Sequence, residues 1–183
     1  TAAFVRQAEA MAALGVDSLA IKDMAGLLTP YATFELVRAL KERVSLPVFI
    51  HSHDTAGMGA MVQLKAIEAG AAGIVVSNHG GRVLDDCPAT QEVLADIVAA
   101  VDGRAKILVD GGIRTGSDVF KALALGADAV LIARPFVTAV YGAGADGVAA
   151  YTAQLGNELA DTMRLCGAPT LDAITRDMVR VIK

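Results

Sequence analysis

An α/β fold built on about five parallel strands is predicted by two features: one phrase recurs three times, and apolar runs alternate with helical patterns. The phrase is Leu14-Gly15-Val16-Asp17-Ser18-Leu19-Ala20-Ile21, echoed by Ala69-Gly70-Ala71-Ala72-Gly73-Ile74-Val75-Val76 and by Leu125-Gly126-Ala127-Asp128-Ala129-Val130-Leu131-Ile132. Each copy reads as a helix end, a glycine stop and an apolar strand. Runs near Pro47 to His51 and Lys106 to Asp110 bring the count to five strands, starting near residues 17, 47, 72, 106 and 128. Alternating βα order implies a parallel sheet with right-handed crossovers. A closed barrel of eight such units takes about 200–250 residues or more, and the chain has 183. Two architectures remain, a partial TIM-type (βα) barrel or an open parallel sheet covered by helices, either one as a single domain over residues 1–183.

The intervening helices are legible in order. The opening stretch, Thr1 to Gly15, has the pattern of an amphipathic helix and not of a signal peptide. Pro30 suits a helix's first turn, with Phe34, Leu36, Val37 and Leu40 following on one side. Ser117 or Asp118 is the expected cap of a helix carrying Val119, Phe120, Leu123 and Leu125. After Arg134-Pro135 an apolar segment leads to the turn Gly142-Ala143-Gly144. A last long helix then sets Val148, Tyr151, Leu155, Leu159 and Met163 at helical spacing, a pattern expected to be core, and ends at Cys166-Gly167-Ala168-Pro169.

Composition narrows the function. A hydrophobic content of 54% with 20% charged residues excludes disorder, and a net charge of −4 without a Lys/Arg cluster argues against a nucleic-acid surface or a basic membrane-binding face. No apolar run approaches the roughly 20 residues that span a bilayer. The two cysteines, Cys87 and Cys166, have neither metal-finger nor redox-motif spacing, so a reduced cytoplasmic chain binding small molecules is expected.

The chemistry concentrates after the third strand. A short apolar run, Gly73 to Val76, stops at Ser77, Asn78, His79 and Arg82. In barrels and open α/β sheets ligands bind past the carboxyl ends of strands. Gly80 and Gly81 allow a tight turn, so the imidazole and the guanidinium are expected to face one site.

From about residue 70 to 182 the sequence closely resembles the carboxyl-terminal half of the FMN-dependent α-hydroxy-acid oxidases and dehydrogenases, the group of lactate and glycolate oxidases. The matching phrases are Ser77-Asn78-His79-Gly80-Gly81-Arg82, Asp110-Gly111-Gly112-Ile113-Arg114-Thr115-Gly116, and Lys121 to Val130 running into Arg134-Pro135. The resemblance implies FMN as cofactor and a small-molecule 2-hydroxy acid as substrate. It makes His79 the base that takes the substrate's proton and Arg82 the partner of its carboxylate. It makes Ser77, Asp110, Gly111, Gly112, Ile113, Arg114, Ala133 and Arg134 the cofactor-binding set. Physical chemistry agrees: histidine suits a general base near neutrality, arginine pairs bidentately with a carboxylate, and consecutive glycine amides cradle phosphate. The chain departs from the family in Ala133, where glycine is usual. It departs again at His51, where a lysine follows the Leu-Pro-Val lead-in matched by Leu46-Pro47-Val48.

Residues 1–70 resemble something else. Ile21-Lys22-Asp23-Met24-Ala25-Gly26, followed by His51-Ser52-His53-Asp54-Thr55-Ala56-Gly57, is similar to the biotin-dependent carboxyltransferase domain of pyruvate carboxylase and oxaloacetate decarboxylase, also a (βα) barrel. That resemblance implies a divalent metal held by Lys22, His51 and His53. Histidines at i and i+2 of a strand do point the same way. The sequence therefore reads as a splice of two barrel families, 1–70 and 71–183, joined near Glu68 to Gly73. Five strands do not close a barrel, so a homo-oligomer, most simply a dimer, is expected to cover the free edges.

Overall fold

The computed structural model describes residues 1–54, 56–82 and 86–181. Helix α1 (Ala2–Ala13) leads into β1 (Leu19–Asp23), α2 (Pro30–Arg43), β2 (Val48–Ser52), α3 (Gly59–Glu68) and β3 (Gly73–Val76). The second half continues with α4 (Thr90–Val101), β4 (Lys106–Val109), α5 (Gly116–Ala124), β5 (Ala129–Val130) and α6 (Arg134–Cys166). All pairs are parallel, and the sheet order is β1-β2-β3-β4-β5. A doubly wound sheet reverses its strand order; a strictly sequential order with right-handed crossovers sends every helix to the same face. The sheet is accordingly an arc of a (βα) barrel.

Strand periodicity separates the two faces. Ile50, Ile74, Val76, Ile107 and Val109 are buried against Val37, Val62, Leu94, Ala122 and Leu125 on the helix side. Alternate residues face the concave side, where Phe49 and Leu108 are half-buried and Ala20 and Ala129 exposed. The core joins residues on both sides of position 70, and β2 pairs with β3 in regular parallel register, His51 opposite Val75.

Local signals behave as chemistry dictates, with two differences. Pro30 opens α2, whose cap Thr29 accepts a hydrogen bond from the Ala32 amide. The cap of α5, however, is Thr115 and not Ser117 or Asp118. The Thr115 hydroxyl accepts from the Asp118 amide, and the Asp118 carboxylate accepts from the Thr115 amide, a reciprocal box that needs the acid at the third helical position.

The second difference concerns α6. Its backbone leaves helical geometry at Ala143 and Gly144, the glycine-rich turn read in the sequence. The rings of Phe136 and Tyr151 lie 5.0 Å apart, whereas a straight helix would separate residues fifteen apart by about 22 Å. The element is therefore a helical hairpin. None of its residues is fully buried: Val148, Tyr151, Leu155, Leu159 and Met163 are half-buried on the outside of α5 instead of forming core. The apolar stripe was legible, but it covers one neighbouring helix and not the sheet.

Candidate active site at the carboxyl rim of the sheet

Every strand points its carboxyl end at one cleft of about 760 Å³, walled by Lys22, His51, His79, Asp110, Ile113 and the start of α6. The β3 run ends in a single tight turn, His79–Gly81, which Asn78 braces by accepting from the Gly80 amide at 3.0 Å. His79 itself takes a left-handed backbone, φ 56°, an uncommon state for a residue with a side chain. Such strain is tolerated where surrounding contacts enforce it, and it concentrates at functional sites.

Behind the turn lies a network of titratable side chains. Register sets Lys22 of β1 beside His51 of β2, and Lys22 Nζ is 3.4 Å from His51 Nδ1. An ammonium only donates, so Nδ1 accepts and the ring proton of His51 sits on Nε2. That Nε2 is 3.1 Å from His53 Nε2 and 3.4 Å from Asp110 Oδ2. His53 Nε2 must then accept, which leaves a proton on its buried, unpartnered Nδ1. The ring of His53 stacks on His79, with centroids 4.3 Å apart and planes 15° from parallel.

The metal expectation at Lys22, His51 and His53 finds no support in this network. Lys22, His51 and His53 do meet, but the ring nitrogens of His51 are spent on Lys22, His53 and Asp110. Among the described residues no group of three or more His, Cys, Asp or Glu side chains is placed to hold a metal ion.

Burial and charge shift two members. Burial lowers the basicity of His53, and the neighbouring His51, His79 and Lys22 charges lower it further, against a smaller opposing pull from Asp110. Burial pushes the Asp110 carboxyl up, but hydrogen bonds from His51 and Ser77 and the charges of His51 and His53 outweigh it and leave it below the usual carboxylate range. A histidine held neutral binds fewer protons folded than unfolded. Its contribution to stability is present above its ordinary value of 6.5 and is lost as pH falls from there to the lower folded value. The melting temperature is expected to drop as buffer pH falls below about 6.5, with a shallower drop in His53→Phe. Calorimetry across that range, showing equal slopes for both chains, would remove His53 as the source.

From this network Asp110 leads into two left-handed glycines, Gly111 at φ 84° and Gly112 at φ 77°. Their amides donate to no described residue. The loop is held from outside: Thr90 Oγ1 donates to the Asp110 carbonyl at 2.6 Å, Gln91 Nε2 to the Gly111 carbonyl at 2.7 Å, and Tyr151 Oη to the Arg114 carbonyl at 2.7 Å. Sequence reasoning missed Thr90, Gln91 and Tyr151, because nothing local marks which helix faces a loop. Arg114, Ala133 and Arg134 line the same region. Arg134 Nη2 donates to the Gly80 carbonyl, 3.2 Å away, and ties α6 to the His79 turn. Ile113 is buried beneath, and Arg82 is exposed at the cleft mouth. Ser77 is half-buried at the end of β3, where its Oγ accepts from the His79 amide at 3.3 Å and its side chain hydrogen-bonds to Asp110.

Two glycine amides unpaired among the described residues lie beside Arg114 and Arg134 and make a candidate anion cradle. The adjoining histidine cluster, with unpartnered buried atoms on His79 and Asp110, supplies proton-handling groups in the same cleft. The donor set fits a flavin mononucleotide, whose phosphate would be held by the glycine amides and arginines and whose ring would occupy the cleft of about 760 Å³.

Comparison with known proteins identifies the family. A peroxisomal (S)-2-hydroxyacid oxidase of Arabidopsis thaliana is 57% identical over 117 residues, 64% of this chain and 32% of its own. The 4-hydroxymandelate oxidase of Amycolatopsis orientalis is 47% identical over 146 residues, covering 79% of this chain and 40% of its own. The crystal structure of mandelate oxidase with benzoyl-formic acid superposes with a TM-score of 0.69 at 45% identity, covering 78% of this chain and 42% of that one. The chain thus spans well under half the length of these relatives. The model of the FMN-dependent dehydrogenase family matches residues 3–181, across both segments read as separate in the sequence, and the carboxyltransferase likeness of residues 1–70 finds no support. By that match the chain belongs to the FMN-dependent dehydrogenase family.

Proposed function

We propose that this chain binds FMN and supports the oxidation of a small 2-hydroxy acid to the 2-oxo acid. The observation that carries the reading is one cleft lined both by a candidate phosphate cradle at Gly111, Gly112, Arg114 and Arg134 and by an imidazole, His79. FMN, when bound, supplies the two-electron acceptor that side chains lack. Arg82 pairs with the substrate carboxylate at the cleft mouth, and His79 takes the hydroxyl proton. Asp110 belongs to the proton network through His51, and Ser77 supports the His79 turn.

Titration with FMN is expected to quench flavin fluorescence, and Arg134→Ala to weaken binding by about 2 kcal/mol through loss of a charged hydrogen bond. No quenching up to millimolar FMN would defeat the reading. An unchanged affinity in the variant would move the phosphate elsewhere.

The proposal extends to assembly and location. Among the described residues the outer edges of β1 and β5 pair with no strand, and the concave face exposes Ala20 and Ala129. Free edges, and a concave face buried at Val75 and His51 but open at Ala20 and Ala129, favour a homo-oligomer. Sedimentation over a hundredfold concentration range is expected to show association, and a monomer throughout would refute it. Cys87 and Cys166 stand as free thiols, which suits a reducing compartment such as the cytoplasm. No described helix is long and apolar enough to cross a membrane.

A further inference from the structure

We propose that His53 is a positioning residue for His79: its ring, held from behind by His51, lies flat on the His79 imidazole and fixes the plane in which that imidazole meets the cleft. The inference rests on the reading of His79 as the proton acceptor. His79 has little else to orient it. Its Nδ1 is buried without a hydrogen-bond partner, and its backbone sits in the left-handed region ahead of two glycines. The parallel stack at 4.3 Å is the contact that selects a ring plane.

His53 is suited to the task because it cannot itself turn. It is 7% exposed, and its Nε2 is bound to His51, which Lys22 and Asp110 hold from two further strands. Rigidity therefore passes from β1 and β4 through β2 to the loop after β3. A base whose ring rotates freely spends little time aligned with its proton, and misplacement by about 1 Å costs on the order of a hundredfold in rate.

Two substitutions separate stacking from mere filling. His53→Phe keeps a flat ring against His79 and loses the bond to His51; His53→Leu fills the space without a flat face. Imidazole signals of His79 in the cofactor-free chain, recorded by heteronuclear NMR, are expected to stay single and sharp in His53→Phe and to broaden or split in His53→Leu. With FMN bound, His53→Leu is expected to lower kcat for flavin reduction about tenfold or more at unchanged KM and FMN affinity. His53→Phe should recover most of that loss. Sharp His79 signals in His53→Leu overturn the proposal, as does a His53→Phe chain as impaired as His53→Leu. Should the unmodified chain bind FMN yet fail to reduce it, the reading of His79 as base falls, while the ring signals still decide whether His53 orients it.

Discussion

His79→Ala is expected to abolish reduction of bound flavin by a 2-hydroxy acid while leaving FMN affinity nearly unchanged. The two halves of this outcome come from different residues of the cleft. The proposed phosphate cradle consists of Gly111, Gly112, Arg114 and Arg134, and the loop that carries it is held by Thr90, Gln91 and Tyr151. None of these contacts passes through the His79 side chain, so the cradle survives its removal. General-base catalysis contributes about 10²–10⁴-fold, and no other group takes over readily. His53 is buried under the turn with its proton-accepting Nε2 engaged by His51, and Asp110 is held in its charged form as a weak base. Anaerobic mixing followed at the flavin absorbance measures the effect directly. Bleaching at the unmodified rate would reassign the base, and a lost affinity for FMN would place the ring, and not the proton, at His79.

Much of the framework was readable because parallel βα units announce themselves locally. A glycine in the left-handed conformation follows α1, α3 and α5 before the next strand begins, and these three junctions survive as near-identical phrases around Gly15, Gly70 and Gly126. Strand starts expected near 17, 47, 72, 106 and 128 appear at Leu19, Val48, Gly73, Lys106 and Ala129. The choice between barrel arc and doubly wound sheet was not readable from the strand pattern, although the resemblance to barrel families favoured the arc. It depends on which strand pairs with which, and that is a property of long-range packing.

The candidate site was legible at its anchors and silent about its wiring. Ser77 to Arg82 and Asp110 to Arg114 were recognisable as strand-end loops, because buried strands stop abruptly at glycine and charge. His51 and His53 were correctly read as sharing a direction, since strand side chains alternate. Their partners were not. Lys22 reaches His51 through β1–β2 register, and Asp110 reaches it across β3, so a pair with metal-ligand spacing turned out to be the middle of a hydrogen-bonded chain. The same limit applies to α6, whose helical stripe was evident although the surface it covers, α5, was not.

That α5–α6 contact gives the largest expected effect on stability, at Gly116. This first residue of α5 is buried, and its amide donates to Glu158 Oε2 at 2.8 Å across the interface. Beside it the Ser117 and Thr162 hydroxyls are 3.0 Å apart. A β-carbon added at Gly116 would stand 2.1 Å from the backbone nitrogen of Leu159. No rotamer change relieves a clash with backbone, so the two helices must separate, and Gly116→Ala is expected to cost about 3 kcal/mol, the upper part of the range for overpacking. The consequence should reach the cleft. Withdrawal of the second arm of α6 would pull Tyr151 from the Arg114 carbonyl and loosen the loop that carries Gly111 and Gly112. Denaturant unfolding and FMN titration on the same variant are therefore expected to fall together, with Tyr151→Phe weakening FMN binding at much smaller cost to stability. A Gly116→Ala chain as stable as the original would mean that α6 sits further from α5 than these contacts place it.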